Sequence, residues 1–305
     1  MARGRQLSDE ARRGLFLVSP PFLYAILLLA VPVVTIILYS FWTDGYLEVV
    51  PDLTLENYTE SLTDPLIRQL LVRSVGVAMA VTAATVLLAF PIAYYISFHV
   101  RPERKSLWLF LITIPFWTSY LIRVALWKVI LGYNGVANSV LDLLGFSQEP
   151  VLFFGAVVGQ VFEPVTWFNL SIPAIVITLS HAYAPFAILP IFVALEKIDR
   201  SLGEASRDLG DGPLMTFWRV TLPLAVPGVV AAVLIVFIPT IGDYVTPAVV
   251  GGDKNPMIAN FVYISFLKLD NYPQGAALAM LSMLAVTLIA LVFLWLNRRW
   301  LRVGR

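Results

Sequence analysis

Apolar residues in this chain run continuously rather than alternating. The first long run, LFLVSPPFLYAILLLAVPVVTIILYSF, occupies residues 15–41, and comparable runs fall at about 70–98, 107–130, 171–194, 222–243 and 274–296. A helix needs about 20 apolar residues to cross a hydrocarbon core about 30 Å thick. Six spans of that length predict an all-α integral membrane protein. A β-barrel would show short segments of period two, which these runs of Leu, Val, Ile and Ala do not. The third run is interrupted by IPFWTSYLIR, and the fifth begins among prolines and ends in FIPTIGDY. A further patch, VLFFGAVVGQVF at 151–162, is too short to cross unaided and reads as a re-entrant, interfacial or tilted segment. Pro91, Pro115, Pro173, Pro185, Pro190, Pro227 and Pro239 lie in or beside the runs. Single prolines are tolerated kinks in membrane helices. So many together free backbone groups that need protein or water partners, which favours a bundle with an aqueous path.

Charge orients the spans. Arg3, Arg5, Arg12 and Arg13 precede the first, and Arg101, Arg104 and Lys105 join the second to the third. Lys197, Arg200, Arg207 and Arg219 follow the fourth, and Arg298, Arg299, Arg302 and Arg305 form the tail. In a six-span chain all of these fall on one side. The first loop on the other side carries Asp44, Glu48, Asp52, Glu56, Glu60 and Asp64. The positive-inside rule then places both termini in the cytoplasm. Residues 1–14 are expected as a cytoplasmic segment, 15–297 as the membrane domain and 298–305 as a cytoplasmic tail. The basic start MARGRQLSDEARRG is followed by an apolar run too long for a cleaved signal, so the first helix is expected to be retained.

Composition removes several functions. At 59% hydrophobic and 13% charged, the chain is far from a soluble domain, and a formal net charge of +1 gives no cause to expect nucleic-acid binding. No cysteine is present, so there is no disulfide and no thiolate nucleophile or metal ligand. His99 and His181 are the only histidines and lack the spacing of a metal site. No glycine-rich loop ends in Gly-Lys-Ser/Thr, so no nucleotide is expected to bind this chain.

The polar segment EASRDLGDGPLMTFWRVTLP, Glu204–Pro223, stands out between two apolar runs on the basic side. Helix-forming residues run from Glu196 to Leu209, with Leu202, Ala205 and Leu209 spaced to share one face. Gly210 is placed to end that helix in a left-handed conformation, and Pro213 suits the first turn of a second. Met215, Phe217 and Trp218 follow, before Leu222–Pro223 enters the membrane. Such a bracket at about 196–221 caps two spans, or docks a cytoplasmic partner through Glu204 and the small residues Ala205 and Gly210.

This segment resembles the loop that gives its Glu-Ala-Ala name to the permeases of bacterial ATP-driven importers. The family pattern is Glu-Ala-Ala, three residues, Gly, and later a hydrophobic residue with Leu-Pro. Here those positions are Glu204-Ala205-Ser206, Gly210 and Thr221-Leu222-Pro223, with Ser206 in place of the second Ala. The resemblance implies the six-helix type I importer permease fold in a bacterial inner membrane. It implies a coupling helix, formed by Leu202, Glu204, Ala205, Ser206, Leu209 and Gly210, seated on an ATP-hydrolysing subunit. The implied partners are a second homologous permease, two ATP-binding subunits and an external solute-binding protein. ATP and Mg belong to the ATPase, and this chain is non-catalytic. IPFWTSYLIRVALWKVILGYNGVANSVLDLLG (Ile114–Gly145), ALEKIDRSLGEASRDLG and PTIGDYVTPAVVGG (Pro239–Gly252) are similar to the spermidine/putrescine branch, to the first of its two permeases. The chain departs at Gln148–Asn169, where it is longer than usual. The same branch is similar to importers of thiamine, ferric iron, opines and amino-acid derivatives, which leaves the solute open.

Charges inside the spans supply candidate pathway residues. A lone charge at mid-bilayer costs about 2.5–3.5 kcal/mol on insertion scales, so Arg123 is expected to face the bundle interior, water or an acidic partner. Arg73 opens the second span at headgroup level, and Lys128 is close enough to an end to snorkel. Asp243, with Tyr244 beside it, follows Pro239 and Gly242. It reads either as a helix-terminal residue facing water or as a carboxylate and ring lining a path suited to an ammonium group. Glu163 with Trp167, and Trp117 with Tyr120, offer the same chemistry, although aromatics also form interfacial belts. An Arg123–Asp243 pair would stabilise both charges; the sequence leaves their contact open. The rival classes are a self-contained secondary transporter, which lacks a carboxylate-rich midplane and an evident repeat here, and a membrane enzyme, which lacks a nucleophile–base pair.

Overall fold

The computed structural model describes residues 9–45, 48–132, 135–143, 172–252 and 255–300. Glu163, Trp167, the 151–162 patch and the Gln148–Asn169 departure lie outside the described residues.

The first apolar run forms α1, Asp9–Ser40. None of its most apolar stretch is buried within the chain. Its far end is pinned: Tyr58 donates to Ser40 Oγ at 2.7 Å, and Asn57 Nδ2 donates to the carbonyls of Ser40 and Trp42 at 3.2 and 2.8 Å. A two-residue antiparallel ribbon pairs Thr43–Asp44 with Val49–Val50. The short helix α2, Glu56–Thr63, leads to α3, Pro65–His99. That second span starts five residues before the apolar run. Asp64 Oδ1 accepts from Leu66 N at 2.7 Å and Pro65 holds the first helical position, a polar start that hydropathy does not register.

The third expected span is broken. Its first arm is α4, Pro102–Thr113, continued by a 3₁₀ turn at Ile114–Trp117; its second is α5, Tyr120–Leu131. The arms meet at 87°, so the described residues include five helices long and apolar enough to cross a membrane, or six with this pair counted as one span. Pro115 supplies the cause, because its ring excludes the preceding turn's hydrogen bond and Thr118 leaves the helix extended. The helix α6, Val136–Leu143, follows.

The centre of the bundle is α7, Ile172–Glu196, packed between α3 and α10, Leu222–Ile241. Between α7 and α10 lie α8, Arg200–Asp208, and α9, Pro213–Thr216, with a π-helical turn at Phe217–Thr221. After α10 come a π-helical turn at Pro247–Gly251, the helix α11, Ile258–Leu267, and the last span α12, Tyr272–Asn297. The apolar pattern did not predict α11, whose ten residues are too few to cross.

Hydrocarbon offers no hydrophobic drive between helices, so their association depends on close packing. The core accordingly mixes small and branched residues: Ala89 and Ala93 of α3, Ala187 and Ile191 of α7, and Ala225, Ala232 and Val236 of α10. Gly228 marks the closest approach, since a Cβ there would stand 2.5 Å from Ala194 Cβ and 2.6 Å from the Pro190 carbonyl. A second cluster joins Ile67 and Leu70 of α3 to Phe237, Ile258 and Leu278. A third sets Val124 and Leu131 of α5 on Ala174 and Val250. Arg73 donates to the Pro256 carbonyl at 3.2 Å, and Ile258 N donates to Ser74 Oγ at 2.8 Å. These bonds fasten the start of α11 to α3. At the basic end, Lys105 donates to Glu196 at 2.6 Å and to the Ser97 carbonyl at 2.8 Å, joining α3, α4 and α7.

Candidate coupling bracket and pathway cluster

The Glu204 segment folds as two short helices, entered from an extended Asp199 and separated by a left-handed Gly210. Asp199 caps α8 by accepting from Ser201 N at 3.0 Å, and that backbone N–H holds the Asp199 carboxyl below the usual carboxylate range. The cap separates α8 from α7, so the helix begins at Arg200 rather than at the expected Glu196. At its other end Gly210 has φ +93°, as expected of a helix stop. Gly210 N donates to the Arg207 carbonyl at 2.9 Å and Asp211 N to the Ser206 carbonyl at 3.1 Å, the two bonds of a Schellman motif. Pro213 then opens α9, also as expected.

The face that Leu202, Ala205 and Leu209 share points away from the rest of the chain. Leu202, Ala205 and Leu209 are exposed, Leu209 by 88%, and so is Glu204. Ser206 alone on α8 is buried, at 7% exposed, because this side of the helix rests on α9 and the π-helical turn. There Ser206 Oγ donates to Asp211 Oδ2 at 2.9 Å and lies 3.3 Å from Thr216 Oγ1, while Arg219 Nη1 donates to Asp211 Oδ1 at 2.8 Å. Leu214, Met215 and Trp218 are exposed as well. The bracket therefore presents apolar side chains, rimmed by Glu204 and Arg207, away from the bundle.

The second group of predicted residues meets where α5, α7 and the end of α10 converge. Spacings of three and four put Tyr120, Arg123 and Trp127 on one face of α5. The Tyr120 hydroxyl donates to Asp243 Oδ2 at 2.7 Å and lies 2.6 Å from Thr246 Oγ1. Asp243 Oδ1 accepts from Val245 N at 3.0 Å and Thr246 N at 3.3 Å. At 8% exposure this carboxylate does not face open water; it is buried and held by three donors. The Arg123 guanidinium sits 5.9 Å from the Tyr120 ring centre. Arg123 is 9% exposed, and its buried Nε and Nη1 have no hydrogen-bond partner. It makes no ion pair with Asp243; the described ion pairs are Lys105–Glu196 and Arg219–Asp211. Tyr120 stands between the two charges instead. One turn on, the Trp127 indole N–H donates to His181 Nδ1 at 3.2 Å, which leaves that imidazole's proton on Nε2.

Trp117 is 81% exposed at the break between α4 and α5 and does not join Tyr120. Tyr244 is also turned away, stacked on Tyr263 at 4.9 Å between ring centres. The cluster thus unites Tyr120, Arg123 and Asp243, and adds Trp127, His181 and Thr246. The helical spacing on α5 could have found Trp127. Asp211 and Arg219, missed in the bracket, carry no such local signal, because their contact depends on the turn between them.

The model of binding-protein-dependent transport system inner membrane components matches residues 15–302. The chain belongs to that family. The spermidine/putrescine transport system permease protein PotB of Escherichia coli is 34% identical over 240 residues, 79% of this chain and 81% of that protein. PotB of Haemophilus influenzae is 33% identical over 278 residues, 91% of each. The inner membrane ABC transporter permease protein YdcU of Escherichia coli is 32% identical, covering 87% of this chain and 82% of its own length. Among solved structures, a bacterial alginate ABC transporter in complex with an alginate pentasaccharide-bound periplasmic protein superposes with a TM-score of 0.69 at 16% identity. It covers 99% of this permease and 100% of the matched chain. A second alginate importer structure gives 0.64 over 95% and 98%. At that identity the likeness speaks for the fold, an all-α importer permease. In this permease the bracket lies before the penultimate long span, at the basic end of the bundle.

Proposed function

We propose that this permease is the membrane subunit of an ATP-driven, binding-protein-dependent importer of polyamines such as spermidine and putrescine. The observation that carries the reading is about one-third identity to polyamine permeases over most of the chain. The subunit pairs with a second homologous permease, two ATP-binding subunits that carry ATP and Mg, and an external solute-binding protein. Residues 1–14 and 298–305 face the cytoplasm, with the bracket of about 196–221 on the same side. Leu202, Glu204, Ala205, Leu209 and Gly210 seat the bracket on the ATPase, and Ser206 holds it from within. The outward face of Leu202, Leu209, Leu214, Met215 and Trp218 supports this assignment. ATP-driven closure of the ATPases displaces the bracket and turns the path outward; hydrolysis resets it. The Tyr120–Asp243 pair and the neighbouring aromatics offer charge and ring faces to a passing ammonium group.

One observation favours a second reading. Arg123 is a buried cation beside the Tyr120 ring whose Nε and Nη1 make no hydrogen bond, an environment suited to a solute that also carries a carboxylate, such as an amino-acid derivative. Saturable binding of spermidine or putrescine to the external binding protein, together with co-purification of an ATPase, is the expected result. A binding protein that ignores polyamines and takes an amino-acid derivative replaces the substrate. A chain that purifies without an ATPase, yet transports, overturns the importer assignment.

A further inference from the structure

The bracket contains its own hinge. Asp211 lies between Gly210 and Gly212, and a Cβ at either glycine would meet nothing within 4 Å. The two glycines themselves are unpacked, which leaves the backbone of this turn room to rotate. Beyond the two backbone bonds of the Schellman motif and the seating of Ser206 against Thr216, one carboxylate ties α8 to the π-helical turn. Its Oδ2 accepts from Ser206 on α8, and its Oδ1 accepts from Arg219 in the π-helical turn. Thr216 Oγ1 closes the group from beneath Ser206.

Beyond the hinge, the load has a defined route. Phe217 opens the π-helical turn and sets its ring edge-on to Phe90 at 5.7 Å and to Tyr94 at 5.9 Å, both on α3. The turn runs without a break into α10. A displacement of α8 thus reaches two long spans only if α8 and the π-helical turn move together.

We propose that Ser206, Asp211 and Arg219 form a latch across the glycine hinge, which makes the bracket transmit displacement to α3 and α10 as one rigid body. The latch also gives a role to the one departure in the Glu-Ala-Ala pattern: Ser206 supplies the hydroxyl that Ala would lack, and Asp211 receives it. These are positioning residues, acting through the bracket on a path they do not touch. The inference rests on the reading of the bracket as the ATPase contact.

The test uses the complete transporter in proteoliposomes, with solute uptake and ATP hydrolysis measured on the same preparation. Asp211→Ala and Arg219→Gln should leave ATPase co-purification intact and maximal hydrolysis unchanged, while solute moved per ATP falls by roughly threefold, the scale of one partly exposed charge pair. Arg219→Lys should restore most of the ratio. A group that only stabilised the fold would lower the melting temperature and leave the ratio alone, which would overturn the latch. If Asp211→Ala does not assemble, Ser206→Ala is read in its place, and an unchanged ratio there refutes the proposal. Failure of the unaltered permease to retain an ATPase is a different result and sinks the reading of the bracket itself.

Discussion

Adding one methyl group at Gly228 tests whether close helix packing holds this bundle together. The new Cβ of Gly228→Ala would stand 2.5 Å from Ala194 Cβ, 2.6 Å from the Pro190 carbonyl oxygen and 3.2 Å from Ile191 Cα. Carbon atoms rest about 3.5–4.0 Å apart, so α10 must retreat from α7 by about 1 Å or more. No rotamer change relieves this, because two of the three obstacles are backbone atoms and the third is a Cβ. Overpacking of this kind costs about 1–3 kcal/mol, or roughly 5- to 150-fold in the folded-to-unfolded ratio. Gly76→Ala is the control: it lies in α3 with nothing within 4 Å of the added atom, and a helical Gly→Ala change should be neutral or stabilising by up to about 1 kcal/mol. Thermal unfolding of the purified protein in one detergent, followed by tryptophan fluorescence, compares the two. The expected order is Gly76→Ala at or above the unaltered protein and Gly228→Ala clearly below it. Equal melting of Gly228→Ala and the unaltered protein, at equal yield, would refute close packing of α7 on α10 as a source of stability.

Gly210→Val places a β-branched side chain at φ +93°, where a left-handed conformation costs about 1–2 kcal/mol, and should lower ATPase co-purification or solute-stimulated hydrolysis; normal values for both would remove the bracket from coupling. Asp243→Asn keeps the shape and removes the charge beside Tyr120, so uptake of a multiply charged polyamine should fall more than uptake of a neutral solute accepted by the same assembly. Undiminished polyamine uptake in proteoliposomes would take Asp243 out of the pathway. Single cysteines at Glu56 and Glu204 should react with an impermeant reagent from opposite faces of the membrane; labelling from one face rejects the proposed orientation. The folded-state pKa of Asp199 is lowered by the Ser201 N–H, so its capping contribution is complete at neutral pH and is lost as pH falls through that lowered value. Asp199→Asn should keep the cap without this acid loss, read as protection of the Ser201 amide from exchange.

Much of the fold could be read from the apolar runs, because a bilayer demands length and continuity and both are visible one residue at a time. Gly210 and Pro213 were equally legible, since each answers a local backbone requirement. What escaped depends on geometry between distant segments. Pro115 announces a break, but the 87° angle follows from where both arms pack. The start of α11 is held by Arg73 and Ser74, about 180 residues earlier in the chain, and no spacing rule connects them. On α8 the spacing of Leu202 and Leu209 showed a shared face but not its direction, which follows from Ser206 finding a carboxylate within. The cluster at Tyr120 was legible as residue types, while the hydroxyl that separates Arg123 from Asp243 was not.

The π-helical turn at Phe217–Thr221 divides the chain into two registers. One residue of an α-helix corresponds to about 100° of rotation. A π-turn is in effect a single inserted residue absorbed by a helix. Losing that residue in the course of descent would swing α8 and α9 by about 100°, rather more than a quarter of a revolution, around the axis of α10. The membrane-facing pattern of α10 would not change. The outward face of the bracket and the span can thus drift independently, and one can be re-aimed without rewriting the other.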